Sequence, residues 1–371
     1  MNPTETISAT PKVPAAKWLE VMRDEYLRTY IPSGGGSVRF LSGPRHVLND
    51  VSRQLVAEAA RDNFHAVLLE TNQFQDGARP DLHRIDKFFF AASDTLDWPR
   101  LAEKQVRGIL QRNCGLFVPG DQPLRLESLA AANGCTVDDV TQQFNHQFAN
   151  QLLRDRVIEY EFRAAMNYLG RSQLIPEHLT PATEEVLLAW LRGQPVKGGA
   201  AALRNLAIFQ RITAKNARHI FRSVCHWLPQ VGYQGAVLVL DMRPYCYSNR
   251  GATERNILRL QEVRAKVFEP GATIEDIRRL FEAEEETIGL RYSDQAYLAM
   301  LALLRRFIDE IDLFEHLLLV VLASPSFFEH PEKGKRTWYD YDALRTRISQ
   351  EVFDARHPNP SAALVHLGDE R

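Results

Sequence analysis

The feature that most constrains this chain is a short apolar strand that runs through one glycine into an amphipathic helix, at residues 38–50. Gly43 separates the two parts, and the helix that follows repeats apolar residues at helical spacing. This order is the outline of a phosphate-binding loop, whose motif is G-x-x-x-x-G-K-[ST]. The apolar residues are Val38, Phe40 and Leu41 in the strand, and Val47, Leu48, Val51, Leu55, Val56 and Ala59 in the helix.

The residues that bind phosphate in this motif are missing. With Gly43 as the first glycine, Leu48, Asn49 and Asp50 fall at the Gly-Lys-Ser/Thr positions. Leu48 adds a side chain where the backbone must approach phosphate, and Asn49 lacks the lysine charge. Asp50 places a carboxylate where a hydroxyl would hold Mg²⁺. The three changes together predict a loop that has lost its nucleotide.

The strongest strand in the chain, 235–241, ends in an aspartate. Such an aspartate is half of a Walker B pair, in which it orients Mg²⁺ while the next residue, usually glutamate, activates water. Here Met242 follows Asp241, and methionine cannot accept a proton. The alternative is a strand-end aspartate that caps a turn. The altered loop upstream favours a relic ATP site, so we predict no catalytic residue and regard Asp241 and Met242 as the relic Walker B.

Composition sets the broad class. The chain has 371 residues, 45% hydrophobic and 25% charged, as in globular proteins with a sizeable core. Its formal net charge of −2 argues against a general polyanion binder. The sequence shows no metal-ligand spacing, apolar leader or membrane-length run, which predicts a cytoplasmic protein without metal or membrane contact. The four cysteines are widely spaced and predict reduced thiols: Cys114, Cys135, Cys225 and Cys246.

Strands and helices alternate at both ends of the chain, whereas the middle is almost wholly helical. Further apolar strands are expected at 65–70, 317–323 and 362–367. The order predicts an α/β fold with a mainly parallel sheet and a large all-helical insertion. We expect a leader and helix at 1–30, a first part of the core at 31–95, the insertion at 96–230, and a second part of the core at 231–371.

Two segments mix arginine or lysine with aromatic residues, at 332–347 and 243–259. They suggest contacts with nucleic acid or a protein partner; the alternatives are a solvated loop over packed aromatics and an exposed amphipathic helix. No helix-turn-helix is evident, which counts against DNA binding as the sole function. The candidate nucleic-acid or partner-binding residues are Lys333, Lys335, Arg336, Arg345, Arg347, Arg250 and Arg255.

Several short motifs occur in an order typical of one family. They are Y-I-P-S-G-G-G-S-V-R-F-L-S-G before the loop, R-P-D-L-H-R-I-D at 79–86, W-L-R-G at 190–193, G-Y-Q-G-A-V-L-V-L-D at 232–241 and L-A-S-P-S-F-F-E-H-P-E-K-G at 322–334, with Y-D-A-L-R-T-R behind. The chain resembles, from about residue 28 to 367, the P-loop ATP-binding proteins of BREX-type bacterial phage-defence systems. That family is distantly similar to AAA+/ORC-like ATPases.

The resemblance implies a three-layer P-loop NTPase-like core, a nucleotide role, and helicase-like or modification partners on DNA. Asn49, Asp50 and Met242 depart from the family pattern, and Ser324 stands near a polar sensor position. The chain ends soon after its last strand, so we expect no C-terminal lid. The degenerate nucleotide site would comprise Gly43, Arg45, Asn49, Asp50, Asp241 and Ser324.

Our leading hypothesis is therefore a catalytically inactive P-loop subunit of an anti-phage defence complex. It would be a scaffold or adaptor for an ATPase, helicase or nuclease partner on DNA, with no cofactor or only weakly bound ATP and Mg²⁺. One alternative is a working NTPase in which Arg45 or Arg39 replaces the lysine and Glu70 or Glu254 is the base. Another is a DNA-binding module, whose affinity would fall steeply with salt.

Overall fold

The computed structural model describes residues 12–71, 80–120, 123–195, 198–246, 292–330, 336–349 and 358–368. The predicted residues Arg250, Glu254, Arg255, Lys333 and Lys335 lie outside this set. Within these ranges no helix is long and apolar enough to cross a membrane. No group of three or more His, Cys, Asp and Glu residues in them could hold a metal ion.

One six-stranded sheet organises the protein, and every strand pairs parallel to its neighbours, in the order β1–β6–β2–β5–β4–β3. Strand β5 lies between β2 and β4, with Ala323 opposite Ser42 and Leu322 opposite Asp241. The ends of β2 and β4 are therefore about 10 Å apart at one edge of the sheet. The strands are β1 (Val13–Pro14), β2 (Gly36–Ser42), β3 (His65–Leu69), β4 (Ala236–Asp241), β5 (Leu317–Ala323) and β6 (Leu364–Gly368).

Helices connect these strands, as parallel pairing requires. Helix α1 continues through wide π-helical turns at Met22–Tyr30. The described helices are α1 (Ala15–Val21), α2 (Arg45–Arg61), α3 (Ile85–Ser93), α4 (Trp98–Gly108), α5 (Leu126–Asn133), α6 (Val137–Phe148), α7 (Tyr160–Ser172), α8 (Pro181–Leu191), α9 (Gly199–Asn205), α10 (Ala217–Trp227), α11 (Asp294–Asp309) and α12 (Asp342–Ser349).

Two hydrophobic cores lie on opposite faces of the sheet. On one face, side chains of α1 and α2 pack with Leu41, Val239 and Val320. On the other face, α3, α10 and α11 pack with Phe40 and Leu238. Alternate residues of a strand point to opposite faces, so β4 and β5 are buried on both sides. The helix–sheet–helix arrangement confirms the predicted three-layer α/β fold.

The helices between β3 and β4 have an aromatic centre. Trp98, Phe162 and Trp227 are all fully buried, with ring centroids 5.7 to 6.3 Å apart. Helix α10 joins this block to the core through Arg218, whose guanidinium lies 2.6 Å from Glu310 beyond the end of α11. The boundaries 96 and 230 remain a prediction.

Helices α5 and α6 are joined by a turn of three residues, 134–136. A three- or four-residue turn that often contains glycine also joins the two helices of a helix-turn-helix, whose axes cross at about 90–120°. That no helix-turn-helix is evident therefore stays a prediction. The signals of a break were Gly134 and the capping residue Thr136.

Candidate functional site

The loop between β2 and α2 is only two residues long, Gly43 and Pro44. A phosphate-binding loop wraps its backbone N–H groups around the phosphates before its helix begins. Here α2 already begins at Arg45, and the Leu48 N–H donates to the Pro44 carbonyl at 3.0 Å. Leu48 is completely buried in the core. The segment keeps the strand and the helix but not the loop that would surround phosphate.

Asn49 and Asp50 lie within this helix rather than in a loop. Asn49, at the lysine position, is half-buried and faces the end of β4, whereas Asp50 is exposed. Arg45, the first residue of α2, is half-buried. Gly43 packs closely on β6, because a Cβ there would lie 3.0 Å from the Leu367 carbonyl oxygen, tighter than ordinary contact.

Arg243 occupies the space between the two relic motifs. Its Nε donates to Asp241 Oδ1 at 2.8 Å and its Nη2 to Asp241 Oδ2 at 2.7 Å. The same Nη2 donates to Asn49 Oδ1 at 2.7 Å. The Arg243 side chain is 12% exposed and that of Asp241 8%. A buried, bidentate guanidinium thus connects the Walker B aspartate to the residue at the Walker A lysine position.

The other predicted residues at this edge are engaged within the protein. Met242 is fully buried, and its N–H donates to the Leu322 carbonyl at 3.0 Å. Ser324 is buried, with its Oγ 3.1 Å from that of Ser326. Burial raises the pKa of the nearby Cys246 thiol to about 12, so this sulfur is no nucleophile at neutral pH.

The residues present do not fit Mg²⁺ and a nucleoside triphosphate. Arg243 neutralises the Asp241 carboxylate, which stands at the Walker B position. The guanidinium occupies the place where Mg²⁺ and the Walker A lysine would put their positive charge. The helix begins too early for a phosphate cradle, and methionine stands at the position of the base. The arrangement can hold the end of β4 to helix α2, and it engages the Asp241 carboxylate with Arg243.

Of the residues proposed for an unorthodox NTPase site, Arg39 lies within β2, whereas Arg45 and Glu70 lie at the carboxyl ends of the strands. The Arg39 guanidinium lies over the Tyr26 ring, 5.1 Å from its centroid, and donates to the Tyr26 hydroxyl. Arg39 and Tyr26 line a cavity of about 560 Å³ beside the amino-terminal half of β2. Glu70 directly follows β3, where the pairing of Leu69 with Leu240 places it beside Asp241 at the end of β4.

The described arginines of the basic segments also make internal contacts. Arg336 is buried and donates to the carbonyls of Tyr245 and Tyr292, at 2.9 and 2.8 Å. Arg345 lies over the Tyr339 ring, and Arg347 pairs with Asp309. Arg336 thus has no surface position from which to bind nucleic acid, whereas Arg345 and Arg347 are partly exposed.

Sequence reasoning assigned Arg243 to a basic surface segment and missed its role in the relic site. The available signal was a cation two residues after a strand-end aspartate, because a short turn brings such a pair together. The contact with Asn49 carried no local signal, since the two residues are 194 positions apart in the chain.

The fold and this edge define the class: a P-loop-like α/β protein whose nucleotide motifs are altered. Residues 127–263 match the family model described as BREX system ATP-binding protein BrxC/D. The chain is similar to that family, so the predicted resemblance is confirmed. The match covers just over a third of the chain, including α6 to α10 and β4, but not residues 38–50. Searches of curated proteins and of solved structures gave no match.

Proposed function

We propose that this protein is a catalytically inactive, P-loop-derived subunit of a bacterial anti-phage defence complex. It acts as a scaffold or adaptor for an ATPase, helicase or nuclease partner on DNA. The similarity to the BREX family supports the defence role. The observation that carries the loss of catalysis is the buried bridge from Arg243 to Asp241 and Asn49.

The Arg243 guanidinium supplies a positive charge from within the protein. In a working site, Mg²⁺ and the Walker A lysine would supply that charge. In a working site, Asp and lysine are held apart by Mg²⁺ and phosphate oxygens. Here one guanidinium satisfies both positions, so nucleotide entry must first break a buried ion pair. This cost disfavours nucleotide binding.

A scaffold role agrees with the parts of the fold that this chain retains. The sheet and both of its cores are intact, and the family similarity falls on the helical block and β4 rather than on the phosphate loop. A chain that keeps its core but not its catalytic groups can still present surfaces to partners.

The test is calorimetric titration of the full-length protein with ATP and with ADP, each with and without Mg²⁺. We expect no saturable binding. The matched variant is Asp241→Asn, which keeps the shape of the side chain but removes its charge. Micromolar, Mg²⁺-dependent binding that Asp241→Asn abolishes would contradict the proposal.

The scaffold role needs a second measurement, on the complex purified with its ATPase or helicase partner. We expect the ATP turnover of the complex to be the same with wild-type chain and with Asp241→Asn. A loss of turnover in a complex that still assembles would assign catalysis to this chain.

A further inference from the structure

The turn between α5 and α6 is tightly specified. Gly134 ends α5 in the left-handed region, at φ 62° and ψ 31°, where glycine is favoured. Thr136 then caps α6, because its hydroxyl accepts from the Asp139 N–H at 3.1 Å while the Asp139 carboxylate accepts from the Thr136 N–H at 3.0 Å. Both ends of the turn are therefore fixed, and the two helices are held in one relative position.

The two helices pack along one seam and leave the opposite face of α6 open. Leu129 and Ala130 of α5 are buried, as are three residues of α6 spaced four apart: Val140, Phe144 and Phe148. On the other side of α6, Gln142, Gln143 and His146 are exposed. The polar face of α6 therefore lies on the side of the helix opposite the core of the helical block.

From this geometry we propose that α5, its turn and α6 form a helix-turn-helix that binds duplex DNA, with α6 as the recognition helix. An α-helix fits the major groove, which is about 12 Å wide. Glutamine side chains donate to and accept from adenine there, and other polar side chains contact base edges. Gln142 and His146 are one turn apart, so both reach the same stretch of base pairs.

Arginines lie at the two ends of the α5–α6 pair. In the proposed complex these ends would lie near the phosphates beside the major groove. Arg125 directly precedes α5 and is exposed. Arg154 and Arg156 follow α6 and are also exposed. Carboxylates of the same segment oppose phosphate, although Asp139 is committed to the cap and Asp155 to His226. They are Glu127, Asp138, Asp139 and Asp155. With about three phosphate contacts, the logarithm of affinity should fall with that of salt at a slope of roughly −3.

The experiment uses the full-length protein and short DNA duplexes with a randomised centre. We expect selection to enrich a preferred sequence that contains adenine. The double variant Gln142→Ala with His146→Ala should lose roughly tenfold or more of the preference for that sequence over random duplex. Arg125→Ala with Arg154→Ala should instead weaken binding to every duplex and make the salt slope shallower by about 2.

The matched control is His178→Ala with Gln210→Ala, which removes the same side-chain types from exposed positions elsewhere in the helical block. It should leave affinity and preference unchanged. Urea unfolding of each variant confirms that the fold is kept. The absence of any enriched sequence, or an equal loss in the α6 and control variants, would overturn the proposal. Its outcome is independent of nucleotide binding, since no residue is shared with the relic site.

Discussion

Arg243 and Asp241 are both almost wholly buried, and each neutralises the other. Removing one partner of such a pair leaves a charge without solvent or counter-ion. We expect Arg243→Ala to lower the free energy of unfolding by about 3–5 kcal/mol, because the Asp241 carboxylate stays buried. Urea unfolding measures the change.

An exposed ion pair provides the comparison. Arg28 lies 2.8 Å from Asp24 on the surface, with a side chain that is 64% exposed. Solvent screens this pair, so Arg28→Ala should change the unfolding free energy little. Equal effects of the two substitutions would mean that the Arg243 bridge contributes nothing beyond a surface contact.

The junction between strand β2 and helix α2 packs closely against strand β6. A Cβ on Gly43 would lie 3.1 Å from the Leu367 Cβ, closer than ordinary contact. We expect Gly43→Ala to destabilise the protein by roughly 1–3 kcal/mol through overpacking, with nucleotide binding absent before and after. Thermal unfolding and the calorimetric titration test the two halves of this prediction.

Gly120→Ala is the control for that substitution, because a Cβ at Gly120 meets nothing within 4 Å. It should leave stability unchanged or slightly higher, since alanine restricts the unfolded chain. If Gly43→Ala behaves in the same way, the close approach to β6 does not restrict this position.

At the scale of the whole molecule, His226 links the helical block to the core. Its Nδ1 lies 2.5 Å from Glu315, just before β5, and its Nε2 lies 2.9 Å from Asp155. Burial lowers the pKa of His226, but hydrogen bonds and attraction from these two carboxylates outweigh it and raise the pKa above 6.5. The stabilisation is thus present in full below pH 6.5 and is lost as pH rises through the raised value.

Glu159 on the same side of α10 acts in the same direction. Burial, together with the neighbouring Glu161, raises its pKa to about 7, so the folded state binds a proton that the unfolded state releases near pH 4.5. Stability should therefore fall between about pH 4.5 and pH 7 because of Glu159, and above pH 6.5 because of His226, a range of about pH 4.5 to 8 in all. Urea unfolding across this range should show a shallower decrease for Glu159→Gln and for His226→Gln. Unchanged slopes in both variants would contradict the assignment.

The prediction from sequence succeeded where a pattern is local. Residues 317–323 were expected as a strand from an unbroken apolar run, and β5 has the same bounds. The β1 strand was missed, because two residues in a polar leader carry no periodicity. The loss of the nucleotide motifs was predicted from Leu48, Asn49, Asp50 and Met242, but the contact of Arg243 with Asp241 and Asn49 was not.

The amino-acid sequence by itself determined the parallel α/β plan, the loss of the nucleotide motifs and the family resemblance, since each depends on neighbouring residues. Only the tertiary structure decided which distant groups meet. The contact of Arg243 with Asn49, and of His226 with Asp155 and Glu315, each join separate elements. Sheet order and helix packing bring these side chains together, and neither is encoded in the spacing of residues along the chain.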